Sequence, residues 1–233
     1  MNAPKASVAV LRRNRLAYAR VAALWRQRLH TDYDHEFHRR CRTLFLEALT
    51  GERVLEVGCG LGLDSLAFAS HGLKVVATDL ALEFLRGIRA ENQDLRLAAM
   101  DLTQPCFKPA SFDGIFACAC LLHVPPELTG NVIRGFADLL APGAVLFIHH
   151  VASRRGLDRY TVEHLLTAGN PAFCFCHAEE ELTRLLRQAG LHVLGWSYLA
   201  PRRHPSPCAE RYWLEPYQIV AQKPQPAPHA PDA

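Results

Sequence analysis

Over the first fifty residues apolar positions recur at helical spacing, and from Arg53 onward short apolar runs alternate with amphipathic segments. Two helices are predicted first, over Arg15 to Leu29 and His35 to Leu49. The second carries Phe37, Cys41, Leu44, Phe45 and Ala48 near helical spacing and stops at Gly51. Residues 1 to about 13 read as frayed. Strands are then predicted over Arg53 to Val57, Lys74 to Thr78, Arg96 to Ala99, Phe112 to Cys118, Val145 to His149 and Leu191 to Trp196. The helices between them cover Leu63 to Ser70, Leu82 to Glu91, Leu128 to Leu140 and Glu179 to Gln188. This alternation implies right-handed crossovers and a parallel sheet. A last strand over Tyr217 to Gln222 has no helix before it, so it is expected to pair antiparallel at or near the edge. The expected fold class is α/β, a doubly wound seven-stranded, mostly parallel sheet with an antiparallel last strand and an N-terminal helical cap. The chain divides into a cap over 1–50, an α/β domain over 51–223 and a proline-spaced tail over 224–233 that is expected to be disordered.

Composition narrows the partners. With 233 residues and 49% hydrophobic content the chain supports one core. Lys plus Arg number 26 against 23 for Asp plus Glu, which is no footprint for a nucleic-acid polyanion. Arginines at 12, 13, 15, 20, 26 and 28 are read as a solvated helix face before an acidic-partner site. No apolar run has the length of a membrane span, and no signal peptide is seen. Eight scattered cysteines form no C-x-x-C pair, so a reduced cytoplasmic protein without a membrane partner is expected.

The chemistry concentrates on strand ends. Val54-Leu55-Glu56-Val57 runs into Gly58-Cys59-Gly60-Leu61-Gly62 and then a helix, placing three glycines on the first strand-to-helix turn, where doubly wound sheets bind ligands. Asp79 closes the second strand, positioned to accept hydrogen bonds from both hydroxyls of a ribose. Asp101 ends the third strand, either taking an adenine amine with Met100 and Leu102 over the ring or serving as a turn aspartate in Asp-Leu-Thr-Gln-Pro. The third glycine falls one residue early for a dinucleotide fingerprint, and Glu56 before the loop would repel a pyrophosphate. That carboxylate suits the ammonium and sulfonium of S-adenosylmethionine (SAM) instead.

The run Val54 to Gly62 resembles motif I of the class I SAM-dependent methyltransferases. The likeness continues through Asp79, Met100-Asp101, the segment Phe112 to His123 and Phe136 to Ala144, covering roughly Arg53 to Lys223. It is nearest to the small-molecule methyltransferases, and it implies a Rossmann-like methyltransferase fold, SAM as donor and a small-molecule acceptor. Cofactor contacts are assigned to Glu56, Gly58, Cys59, Gly60, Gly62, Asp79, Leu80, Met100, Asp101, Leu102 and Cys118. His123, just past the fourth strand, is the first candidate for a general base, with His149 and His150 at the end of the fifth strand as the others. Each histidine also has a reading as an ordinary loop or strand-end residue. Tyr18, Trp25 and Tyr33 are expected to line an apolar pocket or pack as core, and Arg154, Arg155, Tyr160 and His164 fall in a connection read as an acceptor lid or a solvated loop.

Cys174-Phe175-Cys176-His177 is assigned to core and surface thiols rather than a metal, its two cysteines being expected to face opposite ways. Val124-Pro125-Pro126-Glu127 lacks the polar and aromatic flanks of nucleic-acid amino methylases, which argues against such a substrate. An NAD-dependent oxidoreductase and a catalytically silent SAM-binding scaffold are the rival readings. Acceptor identity and oligomeric state are left open by the sequence.

Overall fold

A computed structural model describes residues 5–32, 35–162, 171–199 and 214–226. Helices α1 (Lys5–Asp32) and α2 (His35–Ala48) lead into β1 (Arg53–Val57), α3 (Leu63–Ser70), β2 (Lys74–Asp79), α4 (Leu82–Glu91), β3 (Arg96–Ala99) and β4 (Phe112–Cys118). A 3-10 turn over Leu121–His123 precedes α5 (Pro126–Leu139), β5 (Leu140–Ser153), β6 (Arg159–Val162), β7 (Ala172–Phe175), α6 (Glu179–Gln188), β8 (His192–Ser197) and β9 (Leu214–Gln222). Seven strands form one sheet in the order β3-β2-β1-β4-β5-β9-β8, with β6 and β7 as a separate antiparallel pair. β1 pairs in parallel with both β2 and β4, whereas β9 runs antiparallel to β5 and β8. The last strand therefore sits one place in from the edge.

Strand alternation distributes the core between two faces. Val54, Val75, Phe116, Val145 and Phe147 pack toward α2, α3 and α4, while Leu55, Ile115, Leu146, Ile148 and Ile219 pack toward α5 and α6. The first face is built around aromatic rings: Phe116 stacks on Phe147 at 4.7 Å and meets Phe68 at 5.1 Å and Phe45 at 5.4 Å. Phe45 places α2 in this core, so that helix is part of the packed domain.

Several sequence expectations need correction. α1 begins at Lys5 and not near Arg15, because tertiary contacts hold its first turns. The Ser7 hydroxyl donates to Glu127 at the start of α5, and Ser7, Asn14, Ala17, Val21 and Ala22 are buried. Asn14 and the Phe173 peptide form a reciprocal pair, each donating to the other at 2.8 Å. α5 starts at Pro126, whose missing N–H costs nothing in the first turn. β5 runs for 14 residues, not five, since β9 pairs with it from Val145 to Ser153. The connection read as lid or loop contains β6 and β7, with Tyr160 buried. Cys174 and Cys176 are buried in one apolar cluster with Leu122, Val151 and Tyr160; residues two apart in a strand share a face, so the expected opposite orientation is wrong. Tyr33, His164, Cys208 and tail residues 227–233 lie outside the described residues.

The Asn14 pair is the polar clasp that joins α1 to β7. Asn14→Ala leaves the Phe173 N–H without its partner and should cost about 1 to 3 kcal/mol, concentrated on α1. Hydrogen exchange should accelerate through α1 and leave β1, β4 and β5 unchanged. Uniform acceleration across the sheet would show that the clasp is not local.

Candidate active site

The order of β2, β1 and β4 reverses chain direction of travel at β1, and a crevice opens at the carboxyl ends of these strands. The loop after β1 lines it. Gly58, Gly60 and Gly62 take φ values of 69°, 51° and 76°, the left-handed region that side chains resist. A Cβ on Gly58 would lie 2.5 Å from Cys120 Cβ, and one on Gly62 would lie 2.7 Å from Ile88 Cδ1. Added at Gly60, it would meet nothing within 4 Å. Two of the glycines thus answer to protein packing, and the middle one borders open space.

Asp79 at the end of β2 organises that loop. Its carboxylate accepts from Gly60 N at 2.9 Å and from Ala81 N at 2.8 Å. Burial raises its pKa, with those backbone donors working in the opposite direction. Cys59 N donates to Thr78 O at 2.9 Å, and the Thr78 hydroxyl donates to Glu56 O at 2.8 Å, so β1 and β2 hold the loop from both sides. Leu80 follows Asp79 into the crevice edge, partly buried.

Glu56 points beneath the loop, where its carboxylate accepts from the Ser65 hydroxyl of α3 and only 4% of the residue is exposed. Burial, then the charge of nearby Asp64, raises its pKa well above the ordinary carboxylate range. Asp64 goes the other way: burial pushes it up, but His38 and Arg42 on α2 outweigh that and lower it. This ion-paired cluster was not singled out in the sequence, because α2 lies some twenty residues away from Asp64.

Asp101 closes a turn. Its Oδ1 accepts from Thr103 N at 2.8 Å and Thr103 Oγ1 at 2.7 Å, and its carbonyl accepts from Gln104 N at 2.9 Å. Met100 is buried and Leu102 packs partly buried against the same core. Cys118, at the end of β4, lies against Cys41 of α2; that contact, followed by burial, raises its thiol pKa.

The three histidines are separated by the fold. His123 sits at the end of the 3-10 turn with Nδ1 3.1 Å from Phe173 O and Nε2 2.9 Å from the Tyr18 hydroxyl. A carbonyl only accepts, so Nδ1 carries the proton and Nε2 accepts from the phenol. Burial lowers the His123 pKa to about 4. His149 faces α2, edge-on to Phe37 at 5.0 Å. Gln218 is oriented by bonding both the N–H and the carbonyl of Leu199, so its remaining amide hydrogen goes to His149 Nδ1 at 2.9 Å. His149 is therefore protonated on Nε2 when neutral, and burial also lowers its pKa to about 4. His150, on the opposite face, places Nε2 2.8 Å from His177 Nδ1, and the outer nitrogen of each ring is buried with no partner among the described residues. Burial lowers both. Strand alternation anticipated the split of His149 from His150; nothing local announced Tyr18, Phe173, Gln218 or His177 as their partners.

Above the crevice α1 forms a roof. Tyr18, Ala22 and Trp25 pack on Leu61, Ala81 and Phe84, and Arg26 anchors to Gly87 O at 2.8 Å and Glu91 at 2.7 Å on α4. A glycine turn bordering open space, an acid on the adjacent strand end and an apolar roof define a Rossmann-like nucleoside-cofactor site.

Known proteins specify which cofactor. A family model described as "Methyltransferase domain" matches residues 28–195. The chain is 36% identical over 200 residues to a ubiquinone biosynthesis O-methyltransferase of Xylella fastidiosa (strain 9a5c), covering 78% of each protein. A namesake from Xanthomonas campestris pv. campestris (strain B100) is 42% identical over 108 residues, a stretch that spans 43% of this chain and 44% of that relative. Among solved structures, the fold is similar to a SAM-dependent methyltransferase of Methanosarcina mazei, with TM-score 0.67, 20% identity and coverage of 78% of this chain and 98% of that one. It is also similar to the Burkholderia thailandensis 1,6-didemethyltoxoflavin-N1-methyltransferase bound to its substrate and S-adenosylhomocysteine, with TM-score 0.68, 21% identity and coverage of 97% and 92%. The chain belongs to the class I SAM-dependent methyltransferase family. It is an enzyme that uses SAM, and the nicotinamide and silent-scaffold readings are set aside.

The lowered histidines make a pH prediction. Unfolded histidine binds its proton near pH 6.5, but His149 in the fold does so only near 4, so the unfolded state holds more protons between those values. Stability contributed by a neutral His149 is present above pH 6.5 and falls as pH drops toward 4. His149→Gln should flatten the stability–pH slope by up to about 1.4 kcal/mol per pH unit in that window, read from urea unfolding between pH 4.5 and 7. An unchanged slope would mean that His149 protonates as freely in the fold as outside it.

Proposed function

We propose that this enzyme methylates a hydroxyl oxygen on the aromatic ring of a small molecule. The observation that carries this is the 36% identity, over 78% of both chains, to a protein named ubiquinone biosynthesis O-methyltransferase. Ubiquinone is a ring compound bearing methoxy groups, so an O-methyltransferase in its formation takes a ring hydroxyl. The closed apolar roof of Tyr18, Ala22 and Trp25 supports a small, flat acceptor rather than a nucleic acid, in keeping with 26 basic against 23 acidic residues.

SAM supplies a methyl group on a sulfonium already activated for displacement. The open space beside Gly60 and the acid on the next strand fit such a nucleoside. Asp79 is assigned to the ribose hydroxyls through lone pairs its backbone donors leave over, and Gly58, Cys59, Gly60, Gly62 and Leu80 to the wall behind it. Met100, Asp101, Leu102 and Cys118 are assigned to the adenine side. Glu56 sits one layer below, bonded to the Ser65 hydroxyl of α3, and is assigned to supporting the wall behind the cofactor. Of the three histidines, His123 is assigned to the acceptor side, since it alone bonds a residue of the roof over the crevice. The chain's own contribution is mainly to orient the reactants and exclude water, effects worth roughly 7 to 11 kcal/mol when the geometry is good. Among the described residues no helix is long and apolar enough to cross a membrane, and seven cysteines are free thiols, which supports a reduced cytoplasmic setting.

The direct test is incubation with methyl-labelled SAM and caffeate, a small catechol, followed by mass spectrometry. A labelled aryl methyl ether is expected; methylation of amine or thiol probes with caffeate untouched would overturn the oxygen assignment. At the cofactor, Asp79→Ala should weaken S-adenosylhomocysteine binding by about 1.5 to 3 kcal/mol in calorimetry. Gly60→Val should abolish binding while a melting curve still shows a folded domain, because its side chain enters only open space and bears only local strain. Normal affinity in either folded variant would remove that residue from the site.

A further inference from the structure

We propose that Tyr18 and His123 form a two-residue proton relay, in which the phenol of Tyr18 is the group that meets the acceptor hydroxyl and His123 is the sink behind it. The inference rests on the aryl-hydroxyl reading above. Its ground is the hydrogen-bond order at His123. Nδ1–H is committed to Phe173 O at 3.1 Å, and Nε2, the only basic nitrogen, is covered by the Tyr18 hydroxyl at 2.9 Å. The Tyr18 hydroxyl occupies that nitrogen's lone pair, so an acceptor hydroxyl meets the phenol first. Tyr18 Oη still has an acceptor lone pair, and its ring stands between Trp25 at 5.7 Å and the His123 ring at 4.9 Å, in the cluster over Leu61 and Ala81 at the cofactor loop.

The electrostatics agree with a relay rather than a stored charge. Burial, followed by Cys174 and Asp79, raises the Tyr18 pKa well above its ordinary value, so it does not wait as a phenolate. His123, lowered to about 4 by burial, is neutral and ready to accept at the start. The titratable groups around the pair are Asp79 on β2, His150 on β5, Tyr160 on β6 and Cys174 on β7. In the step, an acceptor oxygen lone pair forms the O–C bond to the methyl as the C–S electron pair returns to sulfur. The hydroxyl proton passes to Tyr18 Oη, and the Tyr18 proton moves to His123 Nε2. One monocation, the sulfonium, disappears as another, the imidazolium, forms, so the apolar crevice gains no net charge.

The test compares wild type, Tyr18→Phe, His123→Asn and the double variant, with caffeate and labelled SAM from pH 6 to 9.5. Each single variant should lose about a hundredfold or more in kcat near pH 6, with S-adenosylhomocysteine affinity unchanged. The loss should shrink as pH approaches the catechol's own ionisation, and the double variant should be no worse than either single. Independently of turnover, nitrogen NMR of histidine-labelled, cofactor-free protein should show an Nδ1–H tautomer whose Nε2 signal moves to the unbonded position in Tyr18→Phe. A loss that is equal at every pH, additive losses in the double variant, full activity of Tyr18→Phe or an unmoved Nε2 signal would each overturn the relay while leaving the O-methyl reading intact. A wild type inactive on caffeate would overturn that reading and the relay with it.

Discussion

The carboxyl ends of β1 and β4 come so close that a Cβ on Gly58 would lie 2.5 Å from that of Cys120, and this approach governs how the rest of the crevice is shaped. With no side chain in the way, β1 and β4 pair in register from Val54 and Gly114 to Glu56 and Phe116. The loop must then turn sharply over α3, which it does through three left-handed glycines. That turn delivers the Gly60 N–H to Asp79 and leaves Gly60 beside open space. A bulkier residue at Gly58 would separate the strands, and with them the glycine loop from the segment that bears His123.

A second junction, the Phe173 backbone, ties three separate elements together. Its carbonyl accepts from Asn14 of α1 and from His123, while its N–H donates to Asn14. The backbone of one residue therefore holds the roof helix, the β6–β7 pair and the turn after β4 in a common frame. It also selects the His123 tautomer, which decides that Nε2 faces Tyr18 as an acceptor. Structure and acid–base state are here the same interaction.

The interior resolves its charges in two ways. Below the loop, Asp64 keeps its charge through His38 and Arg42, while Glu56 is pressed toward its neutral form by burial and by that same charge. Four histidines lie in or beside the sheet, three of them buried and His123 half-buried, and desolvation lowers all of them. Ion pairing thus keeps a buried carboxylate charged where cationic partners are at hand, and desolvation keeps the imidazoles neutral.

Sequence alone determined the alternating elements of the sheet, the glycine turn and the strand-end acids, because each is encoded locally. Apolar period marks strand from helix, glycine permits positive φ, and a carboxylate ends a strand whose direction the crossover rule dictates. Tertiary structure decided what depends on contacts between distant residues. Helix propensity did not distinguish a frayed start from the ordered α1 that Ser7 and Asn14 anchor, nor a five-residue β5 from one extended by β9. The histidine at position 123 was visible as a candidate base, but its proton's location was not. That is set by Tyr18, 105 residues earlier, and by Phe173, 50 residues later, since a tautomer is chosen by hydrogen-bond partners that only folding brings together.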